Sequence, residues 1–543
     1  MPPPAQLRLK MLICSLQKTT NVTYYKNILK GDYLQRTRSY AFLVTLAVSL
    51  YLAYTFVPAP GAHYSTVKIG KYVGENNAAW IGYVTAIMTS IFLSLFGFYL
   101  VNSSIKKDID TEVGMIIAST PISNFKYLLT KMLGNFLLLL TIIAIVFLMG
   151  MVLVFVRSNV SSFNLMQFVL PYLLTTLPSI FFISTLAVFA EVFLRKWPML
   201  QYISFFFYFG IITASIVQGT GSPIKMMLDP FGVKVVVTGM EKLVQQQYDA
   251  NATVMSVGFN LTEGQEIKTF LFNGMNWPAL FVISRLLWIG ISFLLIFIAS
   301  KFFHRFYFRE TATIPKKKKK LTENITAVHL LQDIQLSSLP AVQTDYGILP
   351  FIKTELLMLF RKGPRWLWLV NTGSMIALIF SPLTIAHQLL LPLLWFLQVA
   401  RWSDIATKEK TNRIHYFAFA SYQPLKRLLT SQLLAGILLA LVLAVPLMIR
   451  YCIAGDAGQL LNIFNGAIFI VSLALCLGIL SGGKKIFEIL FFAITYLNIN
   501  RLPLADYFGA INNYTGYSVL IPAITALLIV AGFSKRKYEL GHL

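Results

Sequence analysis

Residues 132–156 read MLGNFLLLLTIIAIVFLMGMVLVFV, between Lys131 and Arg157. The stretch carries no charge and exceeds the roughly 20 apolar residues that take a helix across a bilayer. Outward from it the pattern recurs. Candidate spans fall at 40–57, 79–101, 168–193, 198–218 and 279–300 on one side. On the other side they fall at 366–386, 388–403, 428–449, 461–480, 485–499 and 516–533. Of 543 residues 56% are apolar and only 13% charged, too few charges to cover several water-facing domains. Aromatic residues make up 14%, which excludes a disordered chain. The expectation is an all-α polytopic membrane protein of about twelve transmembrane helices.

The formal charge is +24, with 46 lysines and arginines. With the amino terminus in the cytoplasm, thirty-six of these fall in inside segments, among them Lys106, Lys107, Lys126, Arg195 and Lys535 to Lys537. The distribution follows the positive-inside rule and accounts for the charge without nucleic acid. Both termini are then cytoplasmic and 219–278 is an outside loop, read as a structured cap. Met1 to Tyr40 is basic and has no apolar core before a small-residue cleavage site, so no cleavable signal peptide is expected.

The spans divide into two halves of six: 1–301, a basic linker over 302–349 with Lys316 to Lys320, and 350–543. Each half opens on a stretch mixing apolar and basic residues, VTYYKNILKGDYLQRTRSY (22–40) and FIKTELLMLFRKGPRW (351–366), the pattern of a helix lying in the membrane interface. After the second span of each half comes a charged loop. The two are IKKDIDTEVGMIIASTPISNFKYLLTKMLG (105–134) and IATKEKTNRIHYFAFASYQPLKRLLTSQLLAG (405–436). Superposing Pro121 on Pro424 sets Lys107 against Lys410, and Asp110 and Glu112 against Arg413 and His415. Because Pro disfavours helix at the residue before it, each loop should be a short helix, a break, and entry into the next span.

Chemistry is sparse. No phosphate-binding Gly-x-x-x-x-Gly-Lys-Ser/Thr loop exists, so the chain is not expected to hydrolyse ATP. The six histidines and the cysteines Cys14, Cys452 and Cys476 have no metal-ligand spacing, and no cofactor or catalytic group is expected. His387 reads as a satisfied interface histidine. Acids within spans, which mark ion paths, are nearly missing. Glu191, near the end of its span, reads as a surface partner for Arg195.

The segment Asp108-Ile-Asp-Thr-Glu-Val…Thr120-Pro-Ile-Ser…Tyr127-Leu-Leu-Thr-Lys131-Met-Leu-Gly134 resembles the cytoplasmic loop between the second and third spans of type-2 ABC transporter permeases. Arg36-Thr-Arg-Ser-Tyr40 resembles that family's connecting helix, and the whole chain resembles its duplicated twelve-span form. The resemblance implies an exporter permease driven by a separate ABC ATPase, as a dimer. Spans 1, 2 and 5 of each half would face the path, and the loops after spans 2 and 8 would be coupling helices. The residues expected to meet the ATPase are Asp108, Asp110, Glu112, Lys408, Glu409 and Arg413. Apolar packing would come from Met115, Ile116, Phe417 and Phe419. A secondary transporter and a non-transporting membrane enzyme or assembly factor are the other readings. Nothing in the sequence names the substrate.

Overall fold

The computed structural model describes residues 25–59, 62, 64–120, 122–158, 164–195, 197–217, 223–249, 255–261, 267–304, 347–499, 506–510 and 515–542. The chain forms two compact units, Met1–Phe308 and Arg309–Leu543. Their boundary falls inside the expected linker. Lys316 to Lys320 and Pro121 lie outside the described residues.

The first unit begins with α1 (Tyr25–Thr37), bent by 71° from the helix that follows. That helix, α2 (Tyr40–Phe56), starts where the Ser39 hydroxyl accepts the Phe42 N–H. Next come α3 (Ala78–Val101), α4 (Ser104–Asp110), α5 (Val113–Ser119) and α6 (Asn124–Arg157). The helix α7 (Leu165–Phe193) contains a wide π turn over Tyr172–Thr176, directly after Pro171, which has no N–H for the regular ladder. The unit ends with α8 (Pro198–Val217), α9 (Pro223–Leu228), α10 (Val233–Gln247) and α11 (Ala279–Phe302).

At the end of these helices remote from α4 and α5 lies a four-stranded sheet. It is built from two loops far apart in sequence. Strands β1 (Tyr64–Ile69) and β2 (Tyr72–Gly74) come from one, and β3 (Met255–Leu261) and β4 (Lys268–Phe270) from the other, in the order β3-β1-β2-β4. The β1 pairings are antiparallel and β2 runs parallel to β4. The sheet is anchored to α3: Asn77 Nδ2 donates to Phe272 O at 2.8 Å, and Trp80 packs edge-on against Phe270 and Phe272. Beside it, α10 buries Val236, Met240 and Val244, one face at four-residue spacing. The described parts of 219–278 form two helices and two strands. Their pairing with residues 64–74 is a feature the sequence reading did not assign.

The second unit comprises α12 (Leu349–Arg361), α13 (Trp366–Phe380), α14 (Leu383–Phe396), α15 (Val399–Trp402), α16 (Lys408–Thr411) and α17 (His415–Phe419). Four further helices follow: α18 (Leu425–Ala454), α19 (Ala457–Ser481), α20 (Lys485–Ile499) and α21 (Thr515–Gly541).

Among the described residues, seven helices are long and apolar enough to cross a membrane. In the first unit they are Ala78–Asp110, α6, α7 and α11; in the second, α18, α19 and Val519–Gly541. The bent pair α1 and α2 adds an eighth if it is one span. The remaining expected spans are shorter helices. Expected span 366–386 stops at Phe380 because Ser381 is extended before Pro382. At about 1.5 Å per residue, α13 and α14 are each shorter than the roughly 30 Å hydrocarbon core.

Candidate functional site

In the first unit the chain leaves α3 through Ser103, a left-handed residue with φ +83°. The α4 that follows is capped from another helix. The Glu191 carboxylate on α7 accepts the N–H groups of Ser104 and Ile105, both at 2.6 Å. Those donors have no partner within their own helix, and the negative charge also suits the positive end of the helix dipole. Glu191 is thus not the surface group expected from sequence: it is 4% exposed and holds α4 in place. Below α4, Ile105, Leu128, Met132, Val188 and Ile296 form an apolar floor, with Tyr127 stacked on Phe303.

Asp108, at the end of α4, faces inward. The Tyr127 hydroxyl donates to it at 2.7 Å, and Lys131 Nζ lies 2.8 Å away. Lys131 also reaches Asp32 on α1 at 3.2 Å. On the same helix Arg36 pairs with Asp32 and donates to Asn135 Oδ1 at 2.7 Å. One buried network therefore ties α1, α4 and α6 together. The chain then turns at Glu112, left-handed at φ +61°, into α5. Asp110, Glu112, Val113, Met115 and Ile116 are exposed there.

The second unit builds its loop the same way with different groups. Glu409 is buried and accepts from Gln432 Nε2 at 2.7 Å. The partners stand 23 residues apart, as Lys131 and Asp108 do. Four residues after each acid the backbone is left-handed, at Glu112 and at Arg413, φ +57°. This matches Glu112 to Arg413, so the register drawn through the two prolines is off at this end. Lys408 pairs with Glu355 on α12, as Lys131 pairs with Asp32 on α1. Burial pushes the Glu409 carboxyl above its ordinary range, with Lys408 acting in the opposite sense.

The expected contact residues thus divide. Asp110, Glu112, Met115, Ile116, Arg413 and Phe417 stand at the surface. Asp108, Glu409 and Phe419 do not: all three are buried, and Arg536 lies over the Phe419 ring. Lys408 is half-buried and paired. Charges on a short polar loop read as surface groups in sequence; here they are the ties that fix the loop.

The opposite ends of the units also correspond. Arg157, ending α6, donates to the carbonyls of Tyr54 and Val57 at the end of α2. Arg450, near the end of α18, donates to Leu378 O at 2.7 Å and Ser381 O at 2.8 Å, at the end of α13. Each arginine satisfies terminal carbonyls that a helix leaves unpaired. Each unit has an Asp-x-Phe-Gly turn, Asp229–Gly232 between α9 and α10 and Asp506–Gly509 between α20 and α21. Both glycines are left-handed, at φ +73° and +69°. Both phenylalanines are buried, and each carbonyl meets a side chain of a preceding helix: Ser90 Oγ donates to Phe231 O at 2.8 Å, and His387 Nε2 lies 3.1 Å from Phe508 O. His387 Nδ1 is 2.9 Å from the Tyr451 hydroxyl. The tetrapeptide is the sequence signal for these turns, and its recurrence at Asp506–Gly509 relates the two units.

Among the described residues no cluster of His, Cys, Asp and Glu could hold a metal ion. No family model matches the chain, and no curated protein or solved structure is significantly similar to it.

Proposed function

We propose that the chain is the permease subunit of an ABC exporter of type 2. It would consist of twelve spans in two six-span repeats, with both termini on the cytoplasmic side of a bacterial inner membrane. It would move its substrate with ATP hydrolysed by a separate ATPase dimer. The observation that carries this reading is the pair of tethered loops. Each is fixed at its base by a buried acid and bears a bare apolar tip, with Ile116 68% and Phe417 85% exposed. Exposed apolar side chains on a rigid polar loop mark a docking surface. A loop that cannot flex passes the motion of a bound partner into the helices joined to it.

The twelve-span count takes α2, α8, α13, α14 and α20 as spans beside the seven longer helices. The repeat reading is supported by the matched ties at Asp108 and Glu409, the arginines 157 and 450, and the two Asp-x-Phe-Gly turns. The charge bias of the loops supports their cytoplasmic placement. Rim charges are worth little singly, so the apolar tips would supply the affinity and Asp110, Glu112 and Arg413 the register.

The purified chain should hydrolyse no ATP by itself, and a complex extracted with its partner should show vanadate-sensitive hydrolysis that tracks the chain. Hydrolysis by the isolated chain would sink the proposal.

A further inference from the structure

Arg401 on α15 is 2% exposed, and among the described residues no carboxylate lies within ion-pair distance of it. The nearest acid in sequence, Asp404, is taken by Lys362. The guanidinium is nevertheless held firmly. Its Nε donates to the Lys362 carbonyl at 3.2 Å, Nη1 donates to Gln398 Oε1, and its carbon sits 4.4 Å from the centre of the Trp368 ring. Gln398 Nε2 in turn donates to Asn371 Oδ1 at 3.0 Å. Every hydrogen in this chain runs one way, from Arg401 through Gln398 to Asn371. The donors Arg401 Nη2 and Asn371 Nδ2 are left over, and so is the indole Trp402 Nε1 beside Arg401.

A fixed, buried cation with a spare donor of its own and no anion is costly as it stands. Such a group among apolar helices is a functional site by default. What it lacks is a negatively charged acceptor. The guanidinium fork favours phosphate oxygens, which it can engage with parallel hydrogen bonds. The Lys362 carbonyl belongs to the elbow between α12 and α13, where Arg361, Gly363 and Arg365 are exposed. We propose that Arg401 is the core of a phosphate-binding site in the second unit, entered through this elbow. The phosphate would belong to a lipid headgroup or to a free phosphate compound. The proposal rests on this geometry and not on the ATPase-driven reading.

The test uses the full chain in neutral maltoside micelles, with thermal unfolding followed by tryptophan fluorescence. One arm adds inorganic phosphate at constant ionic strength against chloride. The other adds phosphatidylglycerol against phosphatidylcholine. Wild type should show a saturable rise in unfolding midpoint. Arg401→Gln should lose it or need at least about tenfold more ligand, since a charge-assisted pair is removed. Arg365→Gln, which removes an exposed cation of the elbow, should respond as wild type does. If Arg401→Gln does not accumulate, Arg401→Lys replaces it, keeping the charge without the fork; it should need several-fold more ligand. A response to phosphatidylglycerol alone assigns the site to a headgroup, and a response to inorganic phosphate assigns it to a free compound. No response by wild type in either arm, or an unchanged response when Arg401 is replaced, overturns the proposal.

Discussion

Lys131 Nζ lies 2.8 Å from a carboxylate oxygen of Asp108, and both residues are buried between α4 and α6. Lys131 is also the sole cation 3.2 Å or closer to Asp32 among the described ion pairs. Replacing it with Met takes the ammonium from Asp108 and leaves Asp32 paired with Arg36 alone, a loss of about 3–5 kcal/mol where a buried pair is broken. Gln432→Met in the second unit removes only one hydrogen bond to Glu409 and should cost about 1–3 kcal/mol. Thermal unfolding of both variants in detergent checks the order: Lys131→Met should unfold at the lower temperature. The reverse order contradicts the assignment of the ionic network as the stronger tie.

Glu409 gives a pH dependence of definite sign. Its folded pKa is raised, so its favourable contribution is complete below the unfolded value, roughly 4.3, and is lost as pH rises through the folded value. Above the folded value the buried charge is therefore a liability. Glu409→Gln keeps the shape and removes the charge. It should raise the unfolding temperature at pH 7.5, and the gain should fade as the pH is lowered toward 5. A gain that grows on acidification contradicts the raised pKa.

How much of this was readable in the sequence depends on range. The span at 132–156 was legible because an uncharged apolar run of that length has few other solutions. The end of α13 was overrun by six residues because apolar composition continues past Pro382 while the backbone does not. The sheet was invisible: its strands are short and come from loops that Asn77 and Phe272, 195 residues apart, bring together. The loop residues were half legible. Ile116 and Phe417 stand out as apolar residues on charged loops, but nothing in the sequence distinguishes the inward Asp108 from the outward Asp110. That difference is set by Tyr127 and Lys131 one helix away.

The left-handed glycines of the two Asp-x-Phe-Gly turns should resist substitution. Gly509→Ala must adopt φ +69° and brings its Cβ against the Asn462 amide. Gly232→Ala, at φ +73°, meets the Thr175 Cα at 3.2 Å. Each should cost about 1–2 kcal/mol from backbone conformation alone. Because the added Cβ at 509 stands 2.8 Å from the Asn462 Cβ, which swinging the amide does not relieve, while every contact at 232 is 3.1 Å or longer, Gly509→Ala should be the more damaging. Unfolding temperatures of the two variants decide it, and equal values for both and wild type would contradict the left-handed assignment.

Membrane sidedness follows from the proposed topology. In a chain freed of native cysteines, a cysteine at Asn412 should be protected from an impermeant maleimide in intact cells. A cysteine at Tyr248 should react. Labelling at Asn412 with protection at Tyr248 would invert the topology.

The most direct test of the central claim is the amount of ATPase that copurifies per copy of this chain. It should be measured for Ile116→Asp, Phe417→Asp and the two together, with unfolding temperature as a check on folding. Both tips are exposed, so each variant should keep the wild-type unfolding temperature. Each single variant should retain several-fold less ATPase, and the double variant almost none, as when anchors at the centre of an interface are lost. Wild-type recovery of ATPase by the double variant, or wild type that carries no ATPase at all, would contradict the account.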